Sequence, residues 1–124
     1  MKLVILGAPR TKKTHQRIIK VNGKPRIIPA AANKLWAEKA IWQLKSAWAQ
    51  MRQQVPLDCN VNVRALFYRE ANVGDAVGYY QALADALEAA GVVENDRQVV
   101  SWDGSRLLKD NKNPRIELEL TPCD

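Results

Sequence analysis

Cysteine and histidine are nearly missing from this chain: two cysteines and one histidine in 124 residues. Cys59 and Cys123 are too few for a disulfide framework or a cysteine zinc site, so a reducing, cytosolic setting is expected. His15 stands alone in a basic loop, which leaves no histidine cluster for zinc and reads as a phosphate contact or a surface residue. No Gly-rich phosphate loop, nucleophile elbow or CxxC pair occurs, which argues against the nucleotide-binding and redox folds built on those motifs. Long apolar runs are absent too, so no membrane span is expected, and "MKLVILGAPR" lacks a signal-peptide cleavage pattern. Repeats, low-complexity tracts and linkers are also missing, and the length suits one domain with a core of its own.

Acid is scarce in one half only. Residues 1–53 carry twelve Lys and Arg against the single acid Glu38, a balance of +11, whereas residues 54–124 carry seven against twelve, a balance of −5. A basic surface of that size attracts phosphate backbones and makes binding salt-dependent through counterion release. An anionic membrane fits less well, because the first helix lacks a basic row opposite a purely apolar face.

What is present alternates between strand and helix periods. Lys2–Leu6, closed by Gly7 and Pro9, suits a buried strand. In "RIIKVNGKPRIIP" two Ile-containing runs flank Asn22-Gly23, the strongest short hairpin signal, with Pro25 marking an edge. From about Ala30 to Gln53 the residues Ala37, Ile41, Leu44, Trp48 and Met51 form an apolar helical stripe, which Pro56 ends. Trp36 and Trp42 fall off that stripe and read as core or interface residues, with a base as the other option. "CNVNVRALFYR" alternates as a central strand with Val61, Val63 and Ala65 on one face. A second helix runs from about Asp75 to Ala90, on a stripe of Ala76, Tyr80, Leu83, Leu87 and Ala90, and stops at Gly91. "RQVVSW" is a strand candidate, "DGSRLLKDNKN" a polar connection, and "PRIELEL" a last strand with Ile116, Leu118 and Leu120 inward. The expected fold is α/β (α+β): a single domain with a mixed sheet and two main helices packed on it.

Acids inside a polyanion-binding chain make sense if they hold a divalent cation. Mg²⁺ prefers oxygen ligands, keeps several waters, and reverses the local sign of a carboxylate site. At such a site it supplies an activated water and stabilises charge on phosphate oxygens. Asp75 opens the second helix and Asp85 lies ten residues on, about 15 Å along the axis, too far to share an ion. Asp96, in the acidic turn "ENDR", is therefore the expected partner of Asp75. Each acid also has a structural explanation: Asp75 as a helix cap, Asp85 as a solvated or ion-paired helix acid, Asp96 as a turn former.

The stretch "YQALADALEAAGVVENDRQVV" resembles the core of the RusA family of Holliday-junction resolvases, bacterial and phage endodeoxyribonucleases. "GAPRTKKTHQRI", the hairpin, "IIPAAANKLWAEKA" and "NPRIELEL" look like family features as well, so the similarity spans nearly the whole chain. The family pattern is an Asp-x-Asp-Asn helix start, a lysine one turn later, Asp-Ala-Leu, Gly, and an acidic pair before Gln-Val. Aligned on Asp85-Ala86-Leu87 without gaps, Asp75 matches the first acid, the second becomes Val77 and the lysine becomes Gln81. Two inserted residues would instead put Asp75 on the second acid. Only Asp96 of the acidic pair is kept, with Glu94 close by.

The resemblance implies cytoplasmic, Mg²⁺-dependent cleavage of four-way DNA junctions by a homodimer, with Mn²⁺ as a substitute metal and neither a membrane nor a small-molecule cofactor. Asp75 and Asp96 would be the ligands and catalytic acids, and Asp85 a catalytic-site or supporting group. Asp103 is a reserve ligand. Lys12, Lys13, His15 and Arg17 would hold phosphates, and Lys109 would replace the lost lysine. The competing expectations are a DNA-binding protein that has lost its metal site, and an interaction module whose Trp36 and Trp42 face a protein partner.

Overall fold

The structure is a computed structural model that describes residues 1–11, 17–28, 31–53 and 55–123. Its elements are β1 (Lys2–Leu6), β2 (Arg17–Val21), β3 (Lys24–Ile28), α1 (Ala32–Gln50), β4 (Val61–Arg69), α2 (Ala76–Ala89), a 3₁₀ turn (Asp96–Gln98), β5 (Val99–Ser101), β6 (Arg106–Lys109) and β7 (Arg115–Pro122). The expected α+β class holds, with two helices on a mixed sheet.

Strand β4 organises that sheet. One edge pairs antiparallel with β7 from Val61↔Pro122 to Tyr68↔Arg115, and β7 pairs in turn with β1. The other edge is shared by two parallel strands: β5 meets the start of β4 at Val61↔Val99, and β6 meets its end at Arg69↔Lys109. Odd-numbered β4 residues and even-numbered β7 residues face the helices, which buries Val61, Val63, Ala65, Phe67, Ile116, Leu118 and Leu120 as the alternation predicts.

The "DGSRLLKDNKN" stretch is more than a polar connection, since Arg106–Lys109 form β6. Four residues of mixed character carry little periodic signal, and the long parallel edge of β4 supplies what the sequence does not. β1 is likewise an edge strand with alternating burial rather than a fully buried one. Its outer edge is closed by a side chain: the amide of Gln43 accepts from the Leu6 N–H at 2.8 Å and donates to the Leu6 carbonyl at 3.1 Å.

Both helices press on the same face. α1 buries Trp36, Ala40, Leu44 and Trp48, so Trp36 belongs to the core and the stripe is rotated from the expected one, leaving Ala37, Ile41 and Met51 at its margin. Trp42 is 69% exposed. α1 ends at Gln50, six residues before Pro56, where Arg52 takes a positive φ of 60° and the Gln53 N–H returns to the Trp48 carbonyl. In α2 the fully buried tyrosine is Tyr79, while Tyr80 packs at the rim against Trp102, rings stacked at 4.5 Å.

Gly91 terminates α2 with φ of 77°, and a Cβ there would touch nothing within 4 Å. Gly91→Ala therefore isolates the cost of a left-handed alanine, and a loss of about 1 kcal/mol is expected in urea unfolding.

The hairpin β2–β3 turns at Asn22-Gly23, both at positive φ as a type I′ turn requires. It forms a separate two-stranded sheet with a small core of its own, in which Ile19, Val21 and Ile28 meet Ala71 and Val73 of the β4–α2 loop. Among the described residues no helix is long and apolar enough to cross a membrane.

Candidate functional site

The β4–α2 loop, residues 70–75, is where charged groups from distant parts of the chain converge. Glu70 is 2% exposed, the one buried charged residue of the described set. Its carboxylate accepts from Arg10 at one oxygen and from Arg26 at the other, the latter at 2.8 Å. Two cations and two hydrogen bonds offset the desolvation that burial imposes on the acid. The loop after β1 and the hairpin are thereby tied to the end of β4.

Arg69 reaches round the same loop, donating to the Val73 and Gly74 carbonyls, with its guanidinium 5.8 Å from the Tyr79 ring centre. The Tyr79 hydroxyl donates to the Val73 carbonyl. Burial raises the Tyr79 pKa, and the charges of Arg69 and Arg10 act against it, so the phenol stays a neutral donor.

Asp75 caps α2. Its extended backbone places Oδ1 2.8 Å from the Gly78 N–H, so one of the helix's orphan donors is satisfied. Gly74 and Gly78 leave space for Thr11: a Cβ on Gly74 would lie 3.1 Å from the Thr11 methyl, and one on Gly78 3.2 Å from it. The two glycines thus admit the beginning of the basic β1–β2 loop to the mouth of α2.

Beside this mouth lies a cleft of about 650 Å³, with Ile18–Lys20 of the hairpin on one wall, Ala71–Val73 on the other, and Lys109 at its edge. Lys109 is positioned by β6, its register partner being Arg69, and the next residue anchors the strand end through Asp110 N–H to the Arg69 carbonyl at 2.8 Å. The Asp110 carboxyl is held below its usual pKa by the Asn113 N–H, the Arg115 side chain and the Lys112 N–H. Asn111 reaches the hairpin tip through its bond to Asn22.

Asp96 lies elsewhere. A helix that follows a strand runs back along it, so the turn after α2 comes out at the start of β4, where Val99 pairs with Val61. The Asp96 N–H is bound at 2.9 Å by Glu88, thirteen residues beyond Asp75 and about 20 Å along the axis. Asp96 does not line the cleft at Lys20 and Lys109; it lines a second one, of about 350 Å³, along the flank of α2 with Val77, Gln81 and Trp102. Asp85 sits midway, its Oδ1 accepting from Gln81 at 2.9 Å. Asp103 is joined to Asn62 at the start of β4, also remote from Asp75. Among the described residues no three His, Cys, Asp or Glu side chains come together as a metal cage.

Lys12, Lys13 and His15 lie outside the described residues, and for Arg17 only its strand position is described. Of the expected phosphate contacts, Lys109 is brought to the Asp75 end. Arg10, Lys20, Arg26, Arg69, Glu70 and Tyr79 were not foreseen as site residues. Nothing near "YREAN" marks Glu70 for partners 60 and 44 positions away. The pair Gly74 and Gly78 around Asp75 was the available hint of a close approach.

The N-terminal end of α2 gathers Asp75 and Glu70 with Arg10, Lys20, Arg26, Arg69 and Lys109, two of these arginines being held by Glu70, and the C-terminal end carries Glu88, Asp96 and Arg97. Chemically, the first end can hold phosphate, and it offers a cation one carboxylate to share with that phosphate. No protein-family model matches this chain, and no curated protein does.

Proposed function

We propose that the protein is a cytoplasmic, homodimeric, Mg²⁺-dependent endodeoxyribonuclease acting on branched DNA, as the likeness to RusA resolvases implies. The observation that carries this reading is Asp75 at the mouth of α2, next to a cleft edged by Lys20 and Lys109 in the basic part of the molecule. The lysines would hold backbone phosphates, and Asp75 with a DNA phosphate would hold Mg²⁺. Bound there, the metal would supply an activated water and neutralise charge on the phosphate.

A second reading, a DNA-binding protein without nuclease activity, is favoured by the place of Asp96 on a different cleft from Lys20 and Lys109 and by exposed Val77 and Gln81 where the family carries an acid and a lysine. The two are distinguished with a labelled four-way junction and a matched linear duplex, each in Mg²⁺ or EDTA. Paired, Mg²⁺-dependent nicks in the junction support the nuclease. Tight junction binding without cutting in Mg²⁺ or Mn²⁺ supports the binding protein.

Lys109→Ala is expected to weaken DNA binding about equally for all sequences and to reduce the slope of log affinity against log salt by about one. Fluorescence anisotropy at several salt concentrations measures both.

A further inference from the structure

The hairpin β2–β3 has one face anchored and one face free. Ile19, Val21 and Ile28 are buried against the β4–α2 loop, Arg26 is held by Glu70, and the tip is tied to Asn111. On the opposite face Ile18 stands directly across from Ile27 in the strand register, and the next rung pairs Lys20 with Pro25. Ile18 is 72% and Ile27 57% exposed. Single exposed aliphatics are ordinary, but two in register make a stiff apolar ridge, since β-branched side chains lose little rotamer freedom on contact.

The surroundings of that ridge indicate its partner. Lys20 stands on the same face one rung on, Lys24 lies exposed at the hairpin tip, and residues 17–28 contain no acid. Ile18 also lines the cleft between Lys20 and Lys109. A polyanion with apolar surface between its charges fits such a ribbon, and in DNA that surface is the stacked face of the bases. Apolar wedges inserted at a base step unstack it and bend the duplex, and the step is easiest to open where stacking is already broken. An anionic membrane is the weaker fit, because two isoleucines offer less hydrocarbon than one myristoyl chain, which itself binds only marginally.

We propose that Ile18 and Ile27 form a wedge that inserts between bases at a DNA branch point while Lys20, on the same face, holds a flanking phosphate. This rests on the DNA-binding reading but not on nuclease activity. It gives branch selectivity a physical source separate from Asp75.

The test uses a four-way junction carrying 2-aminopurine at the crossover, in EDTA, with anisotropy followed on the same samples and on a linear duplex. Wild-type protein should raise the 2-aminopurine fluorescence severalfold at saturation, as the base unstacks. The double variant Ile18→Ala, Ile27→Ala should keep its melting temperature, lose the fluorescence rise, and bind the junction about tenfold more weakly, a larger loss than on the linear duplex. Ile18→Leu with Ile27→Leu should restore both signals.

A rise that persists in the double alanine variant, or wild-type junction binding with no rise, overturns the wedge and leaves the DNA-binding reading standing. Failure to bind any DNA overturns both. An alanine effect seen on phosphatidylserine vesicles and absent on the junction overturns the wedge in favour of a membrane contact.

Discussion

Asp75→Asn is expected to abolish Mg²⁺-dependent cutting of a four-way junction, a fall of about a thousandfold or more, while junction binding stays the same or tightens. The start of α2 survives the substitution for a structural reason. Asp75 caps α2 through Oδ1 and the Gly78 N–H, and asparagine is as good a cap as aspartate. The cap is kept while the carboxylate charge is removed. If Asp75 holds the metal as proposed, its loss would remove several kcal/mol of transition-state stabilisation, which sets the scale of the rate loss. Loss of a negative charge beside the phosphate path lowers repulsion, which sets the direction of the binding change. Gel assays of cutting and anisotropy in EDTA, run on the same preparation, read the two effects separately. An Asn variant that still cuts at the wild-type rate would remove Asp75 from the chemistry.

The largest effect on stability is expected at Glu70. Truncation to alanine leaves Arg10 without its acceptor in a partly enclosed place, its side chain 18% exposed, while Arg26 at 59% turns to solvent. Removing one member of a buried ion pair costs 3–5 kcal/mol where the remaining charge is fully trapped, so roughly 2–3 kcal/mol is expected here. For a domain of this size that corresponds to a melting temperature lower by roughly 10 °C in circular dichroism. The loss should be accompanied by faster hydrogen exchange at Ile18–Lys20, because Arg26 would no longer hold the hairpin. Glu70→Gln should be milder than alanine, since a side-chain oxygen remains for one arginine. If both variants melt with wild-type protein, the two ion pairs contribute nothing to stability.

Local periodicity made much of the frame legible. The alternation in "CNVNVRALFYR" and "PRIELEL" predicted which residues of β4 and β7 face inward, Asn22-Gly23 predicted the hairpin, and Asp75 and Gly91 bracketed α2. Each of those signals is contained within a few residues. The failures share the opposite property. β6 exists because β4 leaves half an edge open, Trp36 is buried because α1 is rotated by its contacts, and Glu70 is satisfied by arginines from two other segments. For the candidate site, sequence singled out Asp75 as a helix-start acid and Lys109 as a stand-in for the family's lysine, and the fold puts Lys109 on the cleft formed by the loop that leads into Asp75. Sequence paired Asp75 with Asp96 by nearness along the chain, whereas the fold sets Asp96 on a second cleft along the flank of α2.

Gln43 gives β1 a counterfeit neighbour. An unpaired strand edge is a template on which another molecule can copy its own backbone, and the run "KLVIL" with exposed Val4 and Leu6 is the sort of segment that invites such copying. The rung at Leu6 is already occupied by the glutamine amide, in both directions. An arriving strand must evict two hydrogen bonds to carry its register past Leu6, so the fold holds a stop for sheet growth at that end of β1, written in a helix side chain thirty-seven residues from the residue it caps.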